Sequence, residues 1–211
     1  MTELLTTPAA RFAPQHTAVV VIDMQNDFCA EDGFVETAIG RSAAACRAMV
    51  PHLAAFLKAA RGAGVPVVWV RAIYDADKVP RGMLAKQRQN AGDAGCCTTG
   101  SVGAEFYGVM PEGDEPVFDK HCFSAFVRPE LRDWLSARGI ASLVFTGVQT
   151  HVCVDSSLRD AVNVGFYAGI ARDCVASHAQ PLHEATLATV GAVLGDVLEA
   201  RAYVDIWRCE P

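Results

Sequence analysis

Leu143-Val-Phe145-Thr-Gly147-Val-Gln149-Thr150-His151-Val-Cys153-Val154 decides the fold. Its first three residues are an uninterrupted apolar run, the pattern of a strand buried on both faces. The run stops at Gly147, and from Val152 to Asn163 apolar residues return at helical spacing. A strand that turns straight into a helix is half of a parallel crossover unit. The turn carries a cysteine. A thiol there meets the positive end of a helix dipole, which favours thiolate over thiol. The competing reading is a buried cysteine acting as a small hydrophobe.

The same alternation extends outward in both directions. Upstream, Thr17 to Asp23 and Val65 to Arg71 read as strands, with Ser42 to Arg61 a helix between them that ends at Gly62 and Gly64. Glu115 to Asp119 is a third strand, and Pro129 to Arg138 is a helix with its proline in the first turn. Ala141 to Thr146 is the fourth strand and Phe166 to Ala171 the fifth. Pro181 to Leu194 is then a helix and Arg201 to Val204 a last strand. The pattern predicts a three-layer α/β fold around a mostly parallel six-stranded sheet. Tyr74 to Pro111 reads as one long irregular stretch, of the kind that forms lids or subunit contacts.

Composition limits the classes of function. The chain has 211 residues and is 51% apolar, enough for one domain with a dense core over residues 1–211, the first 15 forming an N-terminal extension. Net charge is −6 with no basic run, which argues against nucleic acid as a partner. No apolar segment in the first residues resembles a signal peptide and none is long enough to span a membrane, so the expected location is the cytoplasm, with no membrane partner. Eight cysteines, at 29, 46, 96, 97, 122, 153, 174 and 209, are then expected as reduced thiols. The adjacent Cys96-Cys97 suits neither a zinc ligand pair nor an easy bridge.

In open parallel sheets ligands bind beyond the carboxyl ends of the strands. Asp23, Lys120 and Cys153 fall at the ends of strands one, three and four. Singly, each has an ordinary explanation: a turn cap, a surface lysine, a packing thiol. Together they place a carboxylate, an ammonium and a thiol on one crevice. Lys120 is expected to favour Cys153 as thiolate. Asp23 is expected to take the thiol proton and return it to a leaving nitrogen. The backbone N–H groups of Gln149 and Cys153 are candidates for an oxyanion hole. Phe28, Tyr74, Phe123, Gln149 and Thr150 are candidates for the pocket wall. Arg71 is either a partner for a substrate carboxylate or a structural residue at a strand end.

Val21-Ile-Asp23-Met-Gln-Asn-Asp-Phe28, Asp119-Lys120-His-Cys-Phe-Ser124-Ala-Phe126 and Thr146-Gly-Val-Gln-Thr-His-Val-Cys153-Val resemble, in order, three motifs of the isochorismatase-like cysteine hydrolases. The resemblance runs from about Thr17 to Tyr203. It implies a Rossmann-like sheet in the order 3-2-1-4-5-6, an Asp23–Lys120–Cys153 triad and a cis peptide between Val148 and Gln149. Cysteine argues against isochorismatase chemistry itself, since the vinyl-ether-cleaving members generally lack it. Nicotinamidases of this family bind zinc through histidines after strand two. Val70-Arg71-Ala-Ile-Tyr74-Asp75-Ala-Asp77 contains none, so no metal and no other cofactor is expected. The expected substrate is a small amide, ureide or carbamoyl compound, cleaved with release of ammonia. The resemblance also implies a homodimer or homotetramer. Two other classes stay open: a non-catalytic binding or scaffold member of the fold, and a thiol redox protein pairing Cys153 with Cys122 or Cys174.

Overall fold

The computed structural model describes residues 4–208; Cys209 and the first three residues of the N-terminal segment lie outside them. The sheet has strands β1 (Thr17–Ile22), β2 (Val67–Ala72), β3 (Val117–Lys120), β4 (Ser142–Val148), β5 (Tyr167–Ala176) and β6 (Asp196–Leu198). Their order is 3-2-1-4-5-6, and every neighbouring pair is parallel. All residues of β1 and β4 are buried, because helices cover both faces of the sheet.

The helices are α1 (Pro8–Arg11), α2 (Asn26–Cys29), α3 (Phe34–Thr37), α4 (Ala44–Gly62), α5 (Arg81–Ala91), α6 (Pro129–Ser136), α7 (Asp155–Asn163), α8 (Gln180–Thr189) and α9 (Ala200–Arg208). Alternate residues of β1 feed two cores. Val19 and Val21 pack with Cys46, Leu53, Phe56 and Leu57 of α4 and with Tyr203 and Trp207 of α9. Ala18, Val20 and Ile22 pack with Leu131 and Leu135 of α6, Leu158 of α7 and Leu187 of α8. The period of two along the strand thus becomes two separate apolar layers.

Three segments differ from the sequence expectation. Arg201 to Val204 is helix, inside α9, and the sixth strand is the shorter Asp196–Leu198. Ala200, Tyr203 and Trp207 are the buried positions, a spacing of three and four that four residues taken alone do not reveal. The Tyr74 to Pro111 stretch contains α5 and a 3-10 turn at Val102–Ala104. Because α5 has no buried residue, it lacks the apolar stripe that marks a helix in sequence. The helices after β4 and α8 carry π-helical turns, Thr150–Val154 before α7 and Val190–Leu194 after α8. The N-terminal segment packs closely on the sheet. Phe12 is fully buried against Tyr203, with ring centroids 5.0 Å apart, and Arg11 pairs with Asp196 at 2.8 Å.

Gly147 lets the two central strands meet. It has φ +97, and a Cβ there would lie 2.0 Å from the carbonyl oxygen of Ile22 on β1. Only a residue without a side chain lets β4 run against β1 where the strand order reverses. The Val148–Gln149 peptide that follows is cis.

Candidate active site

Asp23, one residue past β1, is completely buried and adopts φ +51. Its N–H donates to the Val70 carbonyl at 3.0 Å, which pins the turn to β2. Cys153 lies in the π-helical turn after β4 and is 4% exposed. Lys120, the last residue of β3, is also 4% exposed. Two strand spacings, about 9–10 Å, separate β3 from β1. The long lysine side chain crosses the end of β2 to close that gap, and the three residues converge.

Lys120 Nζ lies 2.8 Å from Asp23 Oδ2 and donates to Cys153 Sγ at 3.4 Å. It also donates to the Tyr74 hydroxyl at 2.8 Å and to the Cys122 carbonyl at 3.1 Å. With Lys120 donating to it, Tyr74 keeps its own proton for Cys153 Sγ at 3.6 Å or the Cys122 carbonyl at 3.4 Å. Lys120 and Asp23 form a buried ion pair, and the Cys153 thiol also faces the Asp23 carboxylate.

Burial dominates the protonation of this cluster. Desolvation pushes the Cys153 thiol up from its ordinary 9.0 to about 12; Lys120 pulls the other way and the Asp23 charge adds to the rise. Lys120 thus favours the thiolate as the sequence led one to expect, while loss of water and the Asp23 charge oppose it. Burial also raises Asp23 above the usual carboxylate range, against the pull of Lys120. Lys120 is held above its ordinary value, against its own burial, chiefly by the charge of Asp23.

The surroundings fix these groups in place. Ser157 of α7 donates to the Cys153 carbonyl at 2.7 Å and accepts the Ala125 N–H at 3.0 Å. It ties the nucleophile turn to the loop after β3. Gln25 is fully buried; its side-chain amide donates to the carbonyls of Ala72 and Ala104, both at 2.9 Å, and accepts the Ala72 N–H at 2.8 Å. The end of β1 is thereby locked to β2 and to the long segment that follows it. The backbone N–H of Gln149 makes no hydrogen bond among the described residues.

A cavity of about 190 Å³ opens beside Tyr74. Phe28, Phe34, Ile39, Tyr74, Met83 and Phe123 form its apolar wall, and Lys86, Gln87 and Asn90 of α5 stand along it. Phe28, Tyr74 and Phe123, three of the sequence candidates for the pocket wall, line this cavity. Gln149 and Thr150 do not line this cavity. The Gln149 side chain turns inward, its oxygen accepting the His178 N–H at 2.9 Å and its amide approaching Cys46 Sγ at 3.7 Å. Thr150 is fully buried and its hydroxyl bonds His183 Nδ1 at 2.9 Å. Arg71 forms a two-pronged pair with Asp119, at 2.8 and 3.1 Å, at the ends of β2 and β3. Sequence reasoning named Tyr74 for the wall and missed its hydroxyl at the sulfur; Ser157 and Gln25 it missed entirely.

The chain is similar in sequence and fold to known proteins. Residues 17–202 match the isochorismatase domain family. The ureidoacrylate amidohydrolase RutB of Rhizobium rhizogenes is 32% identical over 199 residues, covering 86% of this chain and 79% of its own. The protein of the same name from an Enterobacter species is 30% identical over 187 residues, covering 82% and 81%. The crystal structure of a cysteine hydrolase from Pseudomonas syringae pv. phaseolicola superposes with a TM-score of 0.82 over 98% of both chains, at 23% identity.

Proposed function

The chain belongs to the isochorismatase family, and from that premise we propose a cysteine-dependent amidohydrolase that cleaves a C–N bond of a small amide, ureide or carbamoyl compound. The observation that carries the reading is the contact set of one ammonium, Lys120 Nζ, with Asp23 Oδ2 at 2.8 Å and Cys153 Sγ at 3.4 Å, at the switch point of a parallel sheet. The curated relatives named as amidohydrolases of ureidoacrylate support the reaction class and make ureidoacrylate the first substrate to assay.

Cys153, a neutral thiol at rest, gives its proton to Asp23 as the sulfur attacks the carbonyl carbon. The oxyanion of the tetrahedral adduct is held by the backbone N–H groups of Gln149 and Cys153, each donor contributing on the order of 2.7–4 kcal/mol in comparable sites. The adduct collapses, the C–N bond breaks, and the leaving nitrogen takes the proton from Asp23. What remains on sulfur is a thioester, or a thiocarbamate from a ureide. Water then gives a proton to Asp23 and attacks the same carbon, and the proton returns to sulfur. Lys120 stays charged throughout and stabilises the negative charge as it passes between sulfur and carboxylate. The apolar wall of Phe28, Phe34 and Tyr74 keeps bulk water from the adduct.

Assembly as a homodimer or homotetramer belongs to the same reading, supported by exposed apolar side chains at Val102, Met110, Val127 and Val193. No described helix is long and apolar enough to cross a membrane. The test is ammonia release from a panel of ureidoacrylate, N-carbamoyl amino acids, biuret, maleamate and nicotinamide. Turnover of a ureide or amide that disappears in Cys153→Ala is the expected result. Undiminished turnover in that variant removes the nucleophile, and no ammonia from any compound removes the reaction class.

A further inference from the structure

Beside the triad, Asp27, Cys96 and Cys97 bring a carboxylate oxygen and two sulfurs within 4.8 Å of one another. The two sulfurs are 4.0 Å apart, and the cysteines are 3% and 0% exposed. A disulfide would need about 2.05 Å between sulfurs. Two metal–sulfur bonds of about 2.3 Å at a tetrahedral angle span about 3.8 Å. The observed separation fits the second geometry.

The backbone explains how consecutive cysteines achieve this. Side chains of neighbouring residues in an extended chain point to opposite sides. Cys97 instead adopts φ +48, a left-handed conformation uncommon outside glycine, and the alternation is broken. That conformation is held by Asp27, whose Oδ2 accepts the Cys97 N–H at 2.5 Å while Oδ1 accepts the Phe34 N–H at 3.2 Å. Each oxygen keeps lone pairs for a further partner. Gly103 leaves room for the carboxylate, since a Cβ there would come within 2.2 Å of Asp27 Oδ2. Cys96 also lines the cavity beside Tyr74, which gives an ion a route in.

We propose that Asp27, Cys96 and Cys97 form a binding site for one thiophilic divalent cation, of the zinc and cadmium class. Thiolates and a carboxylate select such an ion over magnesium or calcium, which prefer all-oxygen shells. Three protein ligands leave a fourth position for water or a small ligand. Binding forms two metal–sulfur bonds and sends two thiol protons to solvent, with no change of oxidation state. The bound ion clips α2 to the segment after α5. Phe28, next to Asp27, and Tyr74, whose N–H donates to the Cys97 carbonyl at 3.0 Å, are the cavity wall that this clip holds.

The test is a titration of the reduced, chelator-treated chain with cadmium. The site predicts one ion per chain, an ultraviolet thiolate-to-cadmium charge-transfer band, release of two protons, and a Tm that rises with cadmium concentration. Cys96→Ser/Cys97→Ser abolishes the band, whereas Cys122→Ser retains it. Asp27→Asn, which keeps an acceptor for the Cys97 N–H, weakens binding by more than the roughly 10–100-fold that loss of an outer partner brings. Absence of a band in the wild type overturns the site, as does a band that survives in the double variant or vanishes in Cys122→Ser. Should the double variant fail to fold, Asp27→Asn and Cys96→Ala decide, and wild-type affinity in both overturns the site.

Discussion

Lys120 is the residue on which the charges of the site balance. Replaced by methionine, it leaves Asp23 buried without its countercharge. Such a deletion costs on the order of 3–5 kcal/mol in stability. Lys120→Met is expected to unfold at markedly lower denaturant and to lose turnover even where it is folded; retention of both would mean that the ammonium is incidental. In the proposed mechanism Asp23 sets the acid limb of activity. Its folded pKa is raised by burial, and the reaction needs the ionised form. As pH falls, the carboxylate takes a proton from solvent and activity is lost at a pH above the ordinary aspartate value of about 3.9. A pH profile of kcat/KM with its acid limb at or below that value contradicts the assignment. That Asp23, Lys120 and Cys153 meet was legible because each lies at or just beyond the carboxyl end of a recognisable strand. Ser157, Gln25 and the Tyr74 hydroxyl were not, because their roles depend on side-chain direction, which no periodicity encodes. Gln149 makes the same point in reverse: the sequence made it a candidate for the pocket wall, while its side chain turns toward Cys46 and His178 and away from the cavity.

At the scale of elements, the close approach of β4 to β1 is the feature most exposed to a single change. Gly147→Ala would put a methyl group against the Ile22 carbonyl at a φ that alanine disfavours. A loss of at least about 1–3 kcal/mol is expected, measured by urea denaturation, with turnover falling as the nucleophile turn shifts. A variant as stable and active as the wild type would show that the approach is not required. Helix α9 tests the opposite case. Tyr203 is fully buried between Phe12 and Phe56, far from the triad in function, and its hydroxyl donates to the Ile170 carbonyl at 3.2 Å. Tyr203→Ala should cost about 3–5 kcal/mol of stability and leave kcat unchanged at temperatures where the protein stays folded. The central strands were legible because burial on both faces makes them continuous apolar runs. Residues 201–204 misled, since a four-residue window suits either period. Helix α5 was hidden because none of its residues is fully buried; Met83, Leu84 and Ala91 are only partly covered and make no continuous apolar stripe.

For the whole molecule, the buried thiols link stability to pH. The folded pKa of Cys153 is raised from 9.0 to about 12, and burial pushes Cys174 up as well. A raised folded value gives stability that is fully present below the unfolded pKa and lost as pH climbs through the folded one. Tm is therefore expected to decline as pH rises from about 9 toward 12, and Cys153→Ala to decline less steeply; identical slopes would show that Cys153 is not the buried neutral thiol described above. Size-exclusion chromatography with light scattering is expected to give a dimer or tetramer, and a monomer at assay concentration would remove the assembly from the proposal. The proposed function turns on one event, transfer of an acyl or carbamoyl group to a single sulfur. Mass spectrometry of acid-quenched turnover, followed by peptide mapping, observes it directly. The account predicts an adduct of the acyl or carbamoyl mass on the peptide carrying Cys153, absent in Cys153→Ala together with ammonia release. An adduct on another residue, or continued turnover without Cys153, would contradict it.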